Sequence, residues 1–381
     1  MTEYSRTVAA AGEDAVVAVI AEALAAQDSA HPAPCPGSAD GESAPTVLLG
    51  IGDDAAVLDV NGPAGTAPAV VMSTDTMSQD QDFRLRWWAD ADASGFDIGI
   101  KAAAQNLSDL NAMGAVPAVL LVSLSLPGAT TLEWVRQFYR GLKHAGEQPG
   151  GANARIIGGD LGASDVISVS ITAVGTIPPG HAPLRRDGAG AGDQVALAGT
   201  LGRAAAGLAY LEASSSGERM AHLKDAALPQ ELLDQCRAAQ LRPAPPLRSG
   251  PAAVRGGATA GLDISDGLRR DAARLERASG VRIIFDEEQL DLWAQDLAPM
   301  AQALEDPQRH GQWVRAGGED YALLATFPAD AALPQGFTRV GGVVAVAQDS
   351  AQDSAQGGAW HSGTGSDPAE EQNQGWDSWR R

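Results

Sequence analysis

The chain has 381 residues, 44% of them hydrophobic and 20% charged, which is ordinary for a soluble protein and long enough for two domains with substantial cores. Its formal net charge of −21 excludes a nucleic-acid backbone as partner, because that needs a basic face, but leaves anionic small molecules open where bound divalent metals reverse the local field. Two cysteines without a CxxC and six scattered histidines without HxxxH spacing point away from a disulfide framework or a zinc site.

A helix is expected near Glu13–Ala26; with Glu22 inside it, this stretch reads as amphipathic rather than as a signal peptide. A Pro/Gly/Ser-rich loop, Gln27–Pro45, follows. No apolar run reaches the roughly 18 residues needed to cross a bilayer, so no membrane association is expected and a cytoplasmic location is the default. Ala69–Ser73 reads as a strand ending directly at Thr74-Asp75, and Asp90–Met113 as a long helix carrying Lys101, Asn106 and Asp109. Ala118–Leu126 is a buried strand and Leu132–His144 an amphipathic helix. Arg155–Ile157 and Val166–Thr176 are strands flanking a Gly-Gly-Asp turn.

Pro178-Pro179-Gly180 marks the first break. Beyond it come a Gly-rich turn (Gly188–Asp193), a strand (Gln194–Ala198), a helix (Arg203–Ala213) and a proline-rich connector (Arg242–Pro246). Ala258–Ile264 is a strand that leads into a helix over Asp266–Ser279, capped by Ser265 or Asp266. Tyr321–Phe327 and Phe337–Val346 are late strands. This divides the chain into an N-terminal domain over 1–178 and a C-terminal domain over 179–346. The tandem AQDSAQDSAQ opens a low-complexity insert over 347–374 expected to be disordered, before a closing aromatic segment over 375–381 expected to dock near the site.

The chemistry is carried by acids on short Gly-, Ser- and Thr-rich stretches: GIGDDA, STDT, NLSDL, GGD, LDISDGL and GGED. Carboxylates set among glycines and hydroxyls suit hard cations such as Mg²⁺, which take oxygen ligands and bridge them to phosphates. Each has a plainer reading beside the functional one. Asp53-Asp54 can cap a strand, Asp75 can close a β-turn, and Asp263 with Asp266 can serve helix capping alone. Asp109 is harder to dismiss, since it lies in an apolar helical pattern where a charge needs a cation or a partner; Lys101, two turns earlier, is one candidate partner. Glu319 can bind substrate or satisfy its turn, and Arg186, beside a Gly-rich segment, is a fair phosphate clamp. Walker, protein-kinase, GxSxG and HExxH signatures are all missing, so metals would replace a lysine-bearing phosphate loop.

Taken together, GIGDDAAVL, STDT, KAAAQNLSDLNAMGAVP, IIGGD, LDISDGL and GGEDYALL resemble the thiamine-monophosphate kinases, of the aminoimidazole ribonucleotide synthetase superfamily. The resemblance runs to about Val346 and resumes at GWDSW. It implies an α/β N-terminal domain whose sheet pairs across a homodimer, and an α+β C-terminal domain. It implies ATP-dependent phosphorylation of thiamine monophosphate to thiamine diphosphate with several Mg²⁺ ions. By motif, Asp54, Ser73, Thr74, Asp75, Asp109, Asp160, Asp263 and Asp266 would be metal ligands. Gly159, Asp160, Arg186 and Ser265 would touch the nucleotide, and Glu319 and Trp376 the substrate. Asp82 stands where the family often has a substrate-contacting histidine: either Asp82 takes over that contact or substrate binding here differs. The alternatives are another ATP-dependent synthetase of the same superfamily or a non-catalytic acidic metal-binding protein.

Overall fold

The structure, a computed structural model, describes residues 46–49, 53–59, 69–215 and 228–346. The expected N-terminal helix, the 347–374 insert and Trp376 lie outside the described residues.

The first sheet is built from β1 (Thr46–Leu49), β2 (Ala56–Asp59), β3 (Val70–Ser78), β4 (Val116–Leu126), β5 (Arg155–Ala163) and β6 (Ser168–Thr176). Its order is β1-β2-β3-β6-β4-β5, and only β4 and β5 run parallel. Two segments depart from the sequence expectation. The strand expected to end at Thr74-Asp75 continues to Ser78, because STDTMS pairs with β6 along its whole length, so Asp75 sits mid-strand opposite Ile171. The Gly-Gly-Asp segment is not a turn either: it lies within β5, where Gly159 has φ 155° and a Cβ would fall 1.8 Å from the Val122 carbonyl oxygen.

One face of this sheet is covered by two helices, α1 (Ala91–Ala112) and α2 (Leu132–Gly146). Asp90 caps α1 by accepting from the Asp92 amide, and Thr131 caps α2 by accepting from the Trp134 amide. Glycines let the pair approach backbone to backbone: a Cβ on Gly99 would meet the Phe138 carbonyl oxygen at 2.1 Å, and one on Gly141 that of Phe96 at 2.0 Å. Phe83, Phe138, Leu107, Leu120 and Leu124 fill the layer between, each contributing roughly 1.5–3 kcal/mol by burial. On the other face Thr74, Thr76, Leu121 and Ser123 are solvent-exposed.

The second sheet holds β7 (Gln194–Ala198), β8 (Ala260–Ile264), β9 (Val281–Phe285), β10 (Ala322–Phe327) and β11 (Phe337–Ala345), in the order β8-β10-β7-β11-β9 and wholly antiparallel. Around it lie α3 (Arg203–Ser214), α4 (Gln230–Leu241), α5 (Ser249–Arg255), α6 (Leu268–Ser279), α7 (Glu287–Ala303) and α8 (Arg309–Ala316). The helix expected over Asp266–Ser279 begins two residues later. Its cap residue is Gly267, at φ 120°, with no side-chain cap bond of its own; the Asp271 carboxylate accepts from the Asp266 and Gly267 amides at 2.9 and 3.0 Å instead.

The two sheets share contacts. Leu211, Leu241 and Leu247 belong to the core of the first sheet. Glu212 on α3 accepts from Arg84, Arg86 and the Trp87 indole. No helix among the described residues is long and apolar enough to cross a membrane.

Candidate active site

Three chain segments far apart in sequence bring their acids together. Asp54 precedes β2, Asp109 lies in the last turns of α1, and Asp263 stands near the end of β8. One oxygen from each lies within 4.8 Å of the other two. Strand alternation puts Ser73 and Asp75 on the face of β3 that meets α1. There the Ser73 hydroxyl donates to Asp109 Oδ2, and the Asp75 amide donates to Asn106 Oδ1 at 3.0 Å. Asp263 is buried and accepts from the Ser108 hydroxyl at 2.6 Å, a bond that ties α1 to the second sheet.

Burial holds the Asp109 carboxyl well above the usual carboxylate range, and the charges of Asp75, Asp263 and Asp54 push the same way. Burial likewise raises Asp263 well above that range, reinforced by Asp54 and opposed by the Ser108 hydroxyl. Asp75 is raised by burial as well, against a hydrogen bond with Asp109, while Asp54, Asp82 and Asp266 add repulsion. Protons or cations must therefore be shared within this group. Asp53 is pushed up to about 6 by burial and by Asp54, despite accepting from the Arg186 and Asp54 amides.

Arg186 is the organic cation at the cluster. Its guanidinium donates to Asp54 Oδ1 and lies 3.5 Å from Asp53, and its own carbonyl accepts from Ser279 at 2.6 Å. Burial disfavours its charge, but Asp54, Asp53 and Asp263 outweigh that and keep it protonated. Asp54 Oδ2 is nonetheless buried without a hydrogen-bond partner. A buried carboxylate oxygen lacking a donor, next to two further carboxylates, is a donor set suited to a hard divalent cation.

The other expected site residues fall in different places. The Thr74 hydroxyl points to the opposite face of β3, where it donates to the Ile171 carbonyl at 3.1 Å, so any cation contact from Thr74 has to use its backbone oxygen. Asp266 pairs with Arg274 at 2.7 Å and Arg270 at 3.8 Å. The Ser265 carbonyl accepts from the Glu319 amide at 2.8 Å. Gly159 and Asp160 lie on the exposed edge strand β5. Asp160 is level with Ser123, Ser170 and Thr76, three strands from β3 and so on the order of 14 Å away. Asp82 closes its own turn by accepting from the Ser78 amide at 2.7 Å. Lys101 does not pair with Asp109: it meets Glu319 at 2.8 Å. Sequence reasoning passed over Asp271, Gln240 and Tyr321; the first had a signal, an acid four residues after a Gly in the first turn of a helix, while the others had none.

Both the sequence and the fold have known relatives. Residues 52–177 match the model for "AIR synthase related protein, N-terminal domain". Thiamine-monophosphate kinase of Mycobacterium tuberculosis (strain ATCC 25618 / H37Rv) is 39% identical over 300 residues, covering 78% of this chain and 80% of its own length. Among solved structures, AaThiL complexed with AMPPCP and TMP superposes with a TM-score of 0.65 at 28% identity, over 88% of this chain and 91% of that one. The thiamine-monophosphate kinase of Stenotrophomonas maltophilia K279a gives 0.58 at 32% identity, over 79% and 89%. With relatives this similar along most of both lengths, the chain belongs to the thiamine-monophosphate kinase family.

Proposed function

We propose that this protein transfers the terminal phosphoryl group of ATP to thiamine monophosphate, giving thiamine diphosphate and ADP by direct in-line displacement with several Mg²⁺ ions. The observation that carries the reading is the convergence of Asp54, Asp109 and Asp263 at the junction of the two sheets. Asp54, Asp109 and Asp263 would hold one cation, with Ser73, Asp75, the Thr74 carbonyl and Asp266 completing the metal-binding set. Bound there, Mg²⁺ would screen the repulsion between two anionic phosphates and stabilise charge on the transferred group.

The chain's own groups do the rest. The acceptor is a phosphate monoester, largely anionic at neutral pH because its second pKa is about 6, so no general base is required. Arg186 offers a planar fork to the nucleotide phosphates, with Ser265 beside the same cluster. Asp82, Glu319 and Trp376 are assigned to the acceptor; an aromatic face attracts its thiazolium cation by roughly 0.5–2 kcal/mol. Gly159 and Asp160 need a neighbour or a shift of β5 to reach such a cluster. The exposed face of the first sheet and the exposed Ile157 and Leu161 of its edge support a homodimer that covers them.

The test is incubation with ATP, Mg²⁺ and thiamine monophosphate, following thiamine diphosphate and ADP. Absence of thiamine diphosphate with fully folded protein rejects the reading, and a trapped phosphoaspartate rejects direct transfer.

A further inference from the structure

Lys101 is only 2% exposed, in the middle of α1, and the chemistry proposed above makes no use of it. Its ammonium lies 2.8 Å from Glu319 Oε1 and donates to the Asp82 carbonyl at 3.0 Å. The other Glu319 oxygen accepts from Gln240 Nε2 at 2.7 Å. Glu319 is thus fixed from two sides, and its backbone is fixed as well. It adopts φ 65°, an uncommon conformation for a residue with a side chain, and donates its amide to Ser265.

Gln240 carries the second observation. It is 1% exposed, and its Oε1 is buried without a hydrogen-bond partner. The amide cannot turn round, because the Glu319 carboxylate accepts only and demands the NH₂ group. A buried acceptor without a donor costs roughly 1–3 kcal/mol, and native proteins retain few of them. A ligand bringing an N–H would remove that cost.

The position says which ligand. Lys101 lies eight residues before Asp109, about 12 Å along the helix. This end is tied to the acidic cluster on two sides: Lys101 shares α1 with Asp109, and the Glu319 amide donates at 2.8 Å to the Ser265 carbonyl, two residues past Asp263. With the phosphates at the Asp109 end, as the proposed function has them, the organic part of the acceptor extends toward Lys101. Its strongest neutral N–H donor is the exocyclic amine of the aminopyrimidine.

Resting on that functional reading, we infer that Gln240 is a specificity-determining residue whose Oε1 accepts from the aminopyrimidine amine, and that Lys101 is the positioning residue that locks Glu319 and, through it, the Gln240 amide.

The experiment uses the full chain, with steady-state kinetics in both substrates and calorimetric titration with thiamine monophosphate. It compares that substrate with an analogue carrying oxygen in place of the amine. The wild type should prefer the amine by about 10–100-fold in kcat/KM, the worth of one buried hydrogen bond. Gln240→Leu should raise KM for thiamine monophosphate about tenfold and shrink the preference to about threefold, leaving KM for ATP within about threefold. Lys101→Met should raise the same KM, and should cost little more once Glu319→Gln is already present, since the two act in series. Should Gln240→Leu fold poorly, judged by melting and by binding of an ATP analogue, the near-isosteric Gln240→Met carries the test. An active wild type whose Gln240 variants keep both KM and amine preference overturns this inference alone. A wild type that makes no thiamine diphosphate overturns the functional reading instead.

Discussion

Replacing Asp263 with Asn should make the metal-free protein more stable while abolishing its response to Mg²⁺. Asn has the same shape and can still accept from Ser108, so the change removes charge and little else. Two unit charges 4.8 Å apart repel by about 3.5 kcal/mol at an effective dielectric of about 20, and Asp263 has two such neighbours. Other charges reduce that figure. Asp109 and Asp263 both sit well above the usual carboxylate range and so take up protons that relieve the repulsion, and Arg186 neutralises part of Asp54. A net gain of about 1–2 kcal/mol remains, which at roughly 2–4 °C per kcal/mol is about 2–8 °C in melting temperature. The wild type should gain about 2.7 kcal/mol at a Mg²⁺ concentration a hundred times its dissociation constant, and the variant close to nothing. Thermal unfolding in EDTA, followed by titration with Mg²⁺ in the absence of nucleotide, reads both effects. A variant that melts lower than wild type in EDTA yet keeps the full Mg²⁺ shift would falsify the idea that these carboxylates form one cation-demanding cluster.

Arg186→Met should cost about 3–5 kcal/mol in the metal-free protein, because it leaves Asp54 buried without its guanidinium, and Mg²⁺ should rescue the variant by more than it stabilises wild type. Equal Mg²⁺ shifts in the two proteins would show that Arg186 and the cation do not answer the same charge. Asp320 caps α3 through the Gly202 and Ala204 amides, and its carboxyl is raised to about 7, chiefly by burial. A folded pKa above the unfolded value means the folded state holds the extra proton, so this contribution is complete below about pH 4 and is lost as pH rises through about 7. Asp320→Asn should therefore lose less stability than wild type between pH 5 and 8 in urea titrations; parallel profiles would count against it. Gly99→Ala places a methyl group 2.1 Å from the Phe138 carbonyl oxygen and should cost about 1–3 kcal/mol by forcing α1 and α2 apart, read as a lowered urea midpoint with an unchanged slope. An unshifted midpoint would mean that the helices can part freely.

Much of this architecture was legible because it follows from local pattern. The long helix around Asp109 was expected from its alanines and apolar spacing and spans Ala91–Ala112; the strand Gln194–Ala198 agrees to the residue. What failed depended on partners distant in sequence. The apolar run AVVMS stops short of Asp75 and so predicts a strand end there. β3 instead runs on because β6 offers an antiparallel partner through Ser78, a pairing invisible in STDT itself. The glycines of IIGGD read as a turn, yet β4 recruits them into an edge strand where only glycine fits against Val122. Helical spacing offers Asp109 as the partner of Lys101, whereas its partner, Glu319, stands in the segment leading into β10, 218 positions along the chain, and no periodicity announces it. Among the acids, spacing nominated the residues but not their grouping: Asp54, Asp109 and Asp263 converge, while Asp160 does not join them.

The grouping itself carries a mechanical consequence. Asp54 and Asp109 belong to the first sheet and its covering helix, and Asp263 belongs to the second. The repulsion left after protons and Arg186 have relieved part of it therefore acts across the junction, pushing the two halves apart when no divalent cation is bound. Opposing it are the Ser108–Asp263 bond, the Lys101–Glu319 pair and the clasp of Arg84, Arg86 and Trp87 on Glu212, all of which also cross the junction. A divalent cation attracted to all three acids would turn a repulsive seam into an attractive one and tighten the same junction. Phosphoryl transfer that relies on alignment rather than acid–base chemistry needs that stiffness, since misplacement of the reactants by about 1 Å can cost about a hundredfold in rate. Cation loading and seating of the two halves should thus be one equilibrium. Hydrogen exchange at α1 and β8 should slow together on Mg²⁺ addition, and slowing confined to one of them would break the link.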